Sequence, residues 1–215
     1  MKKTIIPLLT LFMASVISCQ KDGLNPYEEK GSLCIDIGLD VRVKEVNNKL
    51  KAGQTDNFKV IVYHASGIEA MIFATASLMP DTIELVPGDY YVVAHSDNNL
   101  PAAFENPYYY GESEIFSISS NQQQSVQVNC TLANTIVSVT YTDTTRNSFE
   151  DYTTTVSTSL DSLVYNRDET RWGYFQPDPM QIRVDLTYLD TDGIVNNKTI
   201  SGTIPNPVPN KHPDH

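Results

Sequence analysis

The sequence predicts an all-β protein with two antiparallel β-sandwich domains. From Leu33 onward, apolar and polar residues alternate over short runs, as they do in strands that bury one face. Gly, Pro, Asn and Asp separate these runs, and no sustained 3.6-residue period indicates a helix. A chain of 215 residues has room for one large β domain or two small ones, at the usual size of roughly 100 to 200 residues per domain.

Two sets of predicted strands meet near Ala133. A seven-stranded sandwich needs about 100 residues, so each set is expected to form its own sandwich, over residues 31–133 and 134–215. Almost no linker separates the sets, which predicts a rigid relationship between the domains. The first set is Leu33–Leu39, Phe58–His64, Ile68–Ala74, Thr82–Val86, Tyr90–His95, Glu114–Ser119 and Ser125–Leu132. The second is Ile136–Tyr141, Tyr152–Thr158, Leu163–Tyr165, Arg171–Phe175, Ile182–Leu189 and Ile194–Ile204, with a hairpin turn at Asp190–Gly193.

Residues 1–18 are predicted to be a lipoprotein signal peptide. Two lysines precede the apolar run Ile5–Ile17, which is too short to span a bilayer. Val16-Ile17-Ser18-Cys19 resembles a bacterial lipobox, so Cys19 is expected to become the lipidated first residue. The alternative is an ordinary signal peptide with a cysteine near its cleavage site. Residues 19–30 are then a short flexible tether between lipid and folded domain.

The residues after Cys19 indicate a location. Gln20, Lys21 and Asp22 resemble the short acidic signal that directs Bacteroidota lipoproteins to the outer face of the cell. We therefore expect a lipid-anchored protein of the outer membrane that faces outward. A plain flexible tether is the alternative interpretation of the same residues.

The charge balance excludes one class of partner. The chain has 15 basic and 26 acidic residues, a formal net charge of -11. Cleavage before Cys19 would remove two lysines and no acid, which leaves -13. Because no basic cluster offsets this charge, nucleic acid is not expected to bind.

Two cysteines remain in the predicted folded part. Cys130 continues the alternation of Val126 and Val128, which places it on the inward face of its strand, whereas Cys34 is out of phase with the apolar residues around it. An extracellular location would permit a disulfide between them. Separate thiols are the favoured prediction, and neither cysteine has the spacing of a zinc or redox pair.

No recognised catalytic or metal-binding motif is present. The sequence lacks G-x-S-x-G, H-E-x-x-H and the glycine-rich loops that bind phosphates or dinucleotides. Asp190-x-Asp192-Gly193 matches the start of a calcium loop but not its remaining ligands, and a hairpin turn explains it better. We therefore expect a non-enzymatic protein without metal or cofactor.

Aromatic residues provide the candidate binding positions. Phe104 and Tyr108, Tyr109 and Tyr110 lie in a predicted loop, where they can stack on sugar rings or anchor a protein partner. The favoured alternative is that they cover an open edge of the core. Trp172 is a second candidate platform, although its predicted strand needs at least one buried face.

Four local patterns together resemble a Bacteroidota family, domain of unknown function 4493. They are Gly31-Ser32-Leu33, Val86-Pro87-Gly88-Asp89-Tyr90, Pro101–Gly111 and Cys130–Asn134. The resemblance covers most of the chain after the tether. It implies a surface lipoprotein with sandwiches similar to those of transthyretin-like, fimbrillin-type pilins and their accessory subunits, and it implies no known activity.

From this resemblance we expect a fimbrillin-like accessory or anchor subunit, or an adhesin, whose partners are other pilin-like subunits or host proteins. A different hypothesis is a glycan-binding surface lipoprotein of a polysaccharide-uptake system, with Tyr108–Tyr110 or Trp172 as the platform. In fimbrillin-type subunits, cleavage after a basic residue can free the groove of the first strand, and Arg42 is the matching candidate here. An ordinary surface arginine is the alternative.

Three further positions and the end of the chain complete the predictions. Thr82, Thr144 and Ser162 each follow an aspartate, in tripeptides that resemble the Bacteroidota acceptor for protein O-glycosylation. The prolines after Ile204 leave no closing strand in the second predicted domain. In the family that the chain resembles, a similar segment continues into one more strand, which implies that this chain is either truncated or lacks an edge strand. An unfilled edge can accept a strand of another chain.

Overall fold

The computed structural model describes residues 29–40 and 54–209. Within these ranges the chain is almost entirely β, which confirms the predicted fold class. The strands of the first part are β1 (Gly31–Asp40), β2 (Lys59–His64), β3 (Glu69–Phe73), β4 (Ile83–Leu85), β5 (Gly88–His95), β6 (Ala102–Phe104), β7 (Tyr109–Glu112), β8 (Phe116–Ile118) and β9 (Gln123–Leu132). They are followed by β10 (Thr135–Val137), α1 (Asp143–Ser148), β11 (Asp151–Ser157), β12 (Ser162–Tyr165), β13 (Gly173–Phe175), β14 (Met180–Leu189) and β15 (Val195–Ile204). Short 3-10 turns lie at Gln54–Asn57 and Ala76–Leu78.

The first part of the chain forms one large sheet. Its strand order is β3-β2-β5-β7-β9-β1-β4, and β8 pairs with β5. All pairs are antiparallel except β1 and β9, which run parallel from Ser32 opposite Gln123 to Asp40 opposite Thr131. This corrects the expectation of a wholly antiparallel sandwich. Seven strands lie between β1 and β9 in the sequence, so no hairpin determines the relative direction of the pair. Alternation indicates only which face of each strand is buried.

The core of this sheet follows the alternation seen in the sequence. Val60, Val62 and Val92 lie on the inner face and are completely buried. Tyr90 begins the buried face of β5, and its hydroxyl donates to the carbonyl oxygen of Val86 at 2.9 Å, across the turn at Pro87 and Gly88. That contact satisfies the one polar group of a buried side chain, which makes the Pro-Gly-x-Tyr pattern a structural feature.

The two cysteines are not bonded to each other. In the parallel pair of β1 and β9, Cys34 lies opposite Ser125 and Cys130 lies opposite Leu39. The thiols are therefore several residues apart along the strands. Cys130 is buried, as its phase predicts, and burial raises the pKa of its thiol to about 11.

The second part of the chain forms two smaller sheets. One has the order β12-β11-β14-β15 and the other the order β10-β13-β6. β6 belongs to the segment predicted as a loop, and it pairs with β13 so that Phe104 lies opposite Gly173. β7 includes Tyr109 and Tyr110, so this segment is not one continuous loop. β6 and β7 have only three and four residues and lie near prolines, so they are too short to show the period-2 alternation that predicts a strand.

Contacts join the two residue ranges predicted as domains. Leu132, Ile136 and Tyr174 form a small buried cluster against which Tyr109 and Trp172 pack. The buried side-chain oxygen of Asn134 accepts the backbone N–H of Tyr108 at 2.5 Å. β6 crosses from the first range to complete a sheet of the second. Division at residue 133 into independently folding domains stays a prediction.

The chain after β10 differs from the predicted strand Ile136–Tyr141. The strand ends at Val137, and α1 begins after Thr142, whose hydroxyl oxygen accepts the N–H of Thr145 at 3.3 Å. This cap explains a six-residue helix that hydrophobic periodicity could not indicate. Among the described residues, no helix is long and apolar enough to cross a membrane.

Candidate functional site

Several predicted site residues lie outside the part that the structure describes. They are Cys19, Gln20, Lys21, Asp22 and Arg42. Lipidation, the export signal and proteolytic processing therefore remain predictions from sequence. The predicted glycosylation positions Thr82, Thr144 and Ser162 are described, and all three are exposed. Exposure is what an acceptor hydroxyl requires, but it does not test modification.

The predicted aromatic loop is held by polar contacts at its base. The side-chain amide of Asn98 donates to Asn106 Oδ1 at 2.9 Å, and the amide of Asn106 donates to the carbonyl oxygen of Asn98 at 2.9 Å. The hydroxyl of Ser96 donates to Asn98 Oδ1 and accepts the N–H of Tyr109. These reciprocal bonds fix the path of the chain between β5 and β7, so the aromatic residues have defined positions.

The four aromatic residues point to different surroundings. Phe104 packs edge-on against Tyr165 at 5.1 Å between ring centroids, inside the second part of the molecule. The ring of Tyr109 stacks with Phe58 at 6.2 Å, and burial raises its pKa. Tyr108 lies next to the ring of His95. Tyr110 is the exposed member, at 37% of its surface, so the four residues do not form one platform.

Trp172 lies immediately before β13 and is half-buried. It packs on the cluster of Leu132, Ile136 and Tyr174. Its backbone N–H donates to Glu105 Oε1 at 3.3 Å, and its carbonyl oxygen accepts the N–H of Glu105 at 3.0 Å. Trp172 therefore contributes to packing, and its ring is less accessible than a platform for sugar stacking needs to be.

An apolar groove of about 500 Å³ lies between the four-stranded sheet and the chain that leads from β10 to β11. Its floor is formed by Ile182 and Val184 of β14 and by Ile200 of β15. Its wall is formed by Val139, Tyr141 and Phe149, from the chain between β10 and β11. The three-stranded sheet reaches the groove through Val137 of β10.

Strand edges flank this groove. β10 is the edge of the three-stranded sheet and β15 the edge of the four-stranded sheet, and neither has a strand on its outer side within the described ranges. β15 pairs with β14 over ten consecutive residues without a bulge. Natural edges are usually shortened, bulged or protected by proline or charge, whereas β15 is long and carries one lysine, Lys198, at the groove.

Polar contacts keep the wall of the groove in place. The hydroxyl of Tyr141 lies 2.8 Å from the carbonyl oxygen of Tyr165 and 2.9 Å from the hydroxyl of Thr154. Burial raises the pKa of Tyr141, so this hydroxyl remains neutral at physiological pH. The ring of Tyr141 packs against Tyr152 at 4.5 Å. The wall is therefore fixed before any ligand enters, which lowers the entropic cost of binding.

The chemistry of the groove suits binding. Its lining is aliphatic and aromatic, with hydroxyl groups from Ser138, Thr140 and Thr145. Among the described residues, no group of three or more His, Cys, Asp or Glu side chains could hold a metal ion. The sequence predicted Ile182–Leu189 and Ile194–Ile204 as strands with apolar faces. It did not predict the groove, because the alternation in each strand gives no information on whether a facing strand is present.

Comparison with solved structures finds similar folds at low sequence identity. The fimbrial anchor protein Mfa2 from Porphyromonas gingivalis is 11% identical, with a TM-score of 0.43, over 72% of this chain and 77% of that one. A candidate adhesin from Bacteroides ovatus is 12% identical, with a TM-score of 0.37, over 91% of this chain and 88% of that one. Similarity at this level concerns the fold alone and carries no information on function.

A search of curated proteins found no match. A family model does match, over residues 29–212, which include every strand described above. The matched residues contain all four local patterns on which the resemblance in the sequence rests. The chain belongs to the family described as domain of unknown function (DUF4493).

Proposed function

We propose that this protein is a non-enzymatic cell-surface lipoprotein, anchored in the outer membrane through Cys19, that serves as a fimbrillin-like accessory or anchor subunit or as an adhesin. The observation that supports this best is the apolar groove beside the edge of β10. Such a groove can accept an extended strand from a pilin-like partner. The fold and the groove support binding, whereas the lipid anchor rests on the sequence.

A strand in the groove would gain two kinds of contact. Its backbone would pair with the edge formed by β10, and alternate side chains would pack on Ile182, Val184 and Ile200. Burial of one Val, Leu or Ile side chain contributes about 1.5–3 kcal/mol, so three would contribute on the order of 5 kcal/mol or more before ordering costs. This is enough to hold two subunits together when both are confined to one surface.

The segment that directly follows β15 is poorly suited to fill the groove. Pro205, Pro207 and Pro209 come within five residues of Ile204, and a proline has no N–H to donate to a neighbouring strand. Asparagine and one valine lie between them. A strand from another polypeptide is therefore a better occupant than this segment.

The proposal is tested with envelope fractions of the native host, unboiled and boiled, on one immunoblot. A heat-sensitive ladder of high mass is expected if the protein joins an assembly through strand pairing. The variant Ile200→Asp places a charge at the groove on a residue that is 48% exposed, and it should abolish the ladder. Val195→Asp is the matched control, because Val195 is also exposed on β15 but does not line the groove.

A single monomer band in both lanes for the wild-type protein would contradict assembly. Loss of the ladder in both variants would indicate that β15 matters through its edge or its folding rather than through the groove. Circular dichroism of the two purified variants distinguishes these cases, since an unfolded variant loses the β signal. A glycan-binding role, the other hypothesis from sequence, is tested with a polysaccharide panel. Tyr108, Tyr109 and Tyr110 have different surroundings and Trp172 is half-buried, so their positions give this role no support.

A further inference from the structure

We infer that the outer face of the large sheet is a docking surface for a basic, arginine-bearing segment of another polypeptide. We call this surface the tyrosine face. It is formed by Tyr63, Tyr91, Tyr110 and Ile72, with the carboxylates of Glu69 and Glu112 beside them. The inference does not depend on the groove or on the proposed function.

Register places the tyrosines on neighbouring strands. Tyr63 of β2 lies opposite Tyr91 of β5, and their rings stack at 5.1 Å between centroids with an interplanar angle of 13°. Tyr110 of β7 lies on the same face, opposite His95 of β5 and four residues along that strand from Tyr91. The three tyrosines therefore share one face of three adjacent strands, with Tyr63 and Tyr91 stacked at one end and Tyr110 at the end that holds His95.

This face is separate from the core. Val60, Val62 and Val92 point to the opposite side of the same strands. Ile61 and Val93 point outward but are only 7% and 8% exposed, and they belong to none of the buried clusters. Ile72, next to Ile61 in register, remains 48% exposed.

The solvated face of an antiparallel sheet is normally polar, so the tyrosines and the exposed Ile72 on this face need another explanation. Exposed apolar patches on soluble proteins mark interaction surfaces, and tyrosine is enriched among residues that dominate binding energy. The tyrosine face therefore has the composition of an interface.

Charge identifies the partner. Glu69 lies opposite Tyr63, and Glu112 accepts the hydroxyl hydrogen of Tyr110 at 2.6 Å. From residue 29 to residue 132 the sequence has thirteen acidic and six basic residues, which is a net charge of -7. An acidic surface attracts a cationic segment and repels an acidic one.

Lys59 and His95 lie on the same face, where a positive charge would repel a cationic partner. They are opposite each other at one end, four residues along the strands from Tyr63 and Tyr91, or about 13 Å at 3.3 Å per residue. Burial lowers the pKa of His95, so its ring is neutral at physiological pH. A cation of the partner is thus expected at the end with Tyr63, Tyr91 and Glu69.

Aromatic rings and carboxylates together favour arginine. A guanidinium is attracted to the negative face of a tyrosine ring and can stack on it, while it donates hydrogen bonds to a carboxylate. The molecule already contains this arrangement in another place. Arg171 lies 4.4 Å from the ring centroid of Phe104 and donates two hydrogen bonds to Glu169.

The test uses the full-length protein in neutral detergent and a labelled peptide in which four arginines alternate with glycines. Fluorescence anisotropy should detect binding of this peptide and not of its citrulline counterpart, which has the same shape without the charge. Tyr91→Ala should weaken binding about two- to fivefold, as expected for one exposed cation–π contact. Tyr91→Phe should retain it, and Tyr188→Ala, in the second part of the molecule, should leave it unchanged.

A second pair of variants separates a defined site from general attraction. The double variant Glu69→Gln with Glu112→Gln should weaken binding more than Asp81→Asn with Glu114→Gln, which removes the same charge elsewhere. Equal losses for both pairs, together with no effect of Tyr91→Ala, would overturn the inference in favour of non-specific attraction. Binding of a neutral polysaccharide that Tyr91→Ala abolishes, without any peptide binding, would overturn the basic partner.

Discussion

β1 and β15 are both strands of ten residues, yet their surroundings differ. β1 lies inside the large sheet, paired with β9 on one side and β4 on the other, and its Leu33 is completely buried. β15 is an edge strand whose residues are nearly all exposed, including Ile200 above the groove. Strands of equal length thus have two neighbouring strands in one part of the molecule and one in the other. The number of neighbouring strands, and not the length of the strand, therefore decides how much of each strand is buried.

The largest expected difference between the two strands is in the free energy of unfolding that is lost when one apolar side chain is truncated. Leu33→Ala removes a fully buried side chain and is expected to lower the free energy of unfolding by about 2–5 kcal/mol. Ile200→Ala removes a half-exposed one, and the loss should stay below about 1 kcal/mol. Urea denaturation measures both. Equal losses would mean that β15 is packed against a partner in solution.

Glycine replacements compare the two parts through their backbones. A Cβ at Gly111 would lie 2.7 Å from the carbonyl oxygen of Asn129 in the neighbouring strand, so Gly111→Ala should lower stability by about 1–3 kcal/mol. A Cβ at Gly202 of β15 would meet nothing within 4 Å. Gly202→Ala should therefore be neutral or stabilise by up to about 1 kcal/mol. Thermal unfolding of the two variants checks this, and a destabilised Gly202→Ala protein would contradict the open edge.

The smallest expected effect concerns the ion pair beside β6, where the two parts meet. Hydrogen bonds from Arg171 lower the pKa of Glu169 to about 2. A lowered pKa stabilises the folded state above the usual pKa of glutamate, and that contribution disappears as the pH falls through about 2. Arg171→Ala should return the pKa of Glu169 towards its ordinary value, which a side-chain NMR titration measures. The stability difference between wild-type and variant protein should be largest near neutral pH, and an unchanged difference at pH 2 would rule out the ion pair as its source.

Alternation predicted most long strands of the fold, because each buries one face over five or more residues. Val126 and Val128 correctly indicated the inward direction of Cys130, and Asp190–Gly193 correctly indicated the hairpin between β14 and β15. β6, β7 and α1 were missed, since each is six residues or shorter and its position depends on distant partners such as Gly173 for Phe104. The parallel direction of β1 and β9 left no local signal.

The candidate sites were harder to predict than the fold. The tyrosine face was present in the sequence as Tyr63, Tyr91 and Tyr110, which are far apart in the chain and share one sheet face only through the register of three strands. The dense aromatic segment at residues 104–110 gave a stronger sequence signal, but sheet pairing separates its members. The groove depends on how β14 and β15 face the chain between β10 and β11, and alternation within one strand does not indicate what faces it.

The parallel pair of β1 and β9 determines how the molecule would respond to mechanical force. A force applied to the chain before Gly31 and after Leu132 pulls β1 and β9 in opposite directions along their axes. All nine register pairs are then loaded in shear at the same time, whereas an antiparallel hairpin pulled from its two ends would open one pair after another. A protein tethered at its N-terminus and bound to a partner through its second part would transmit tension through the strand pair best placed to resist it.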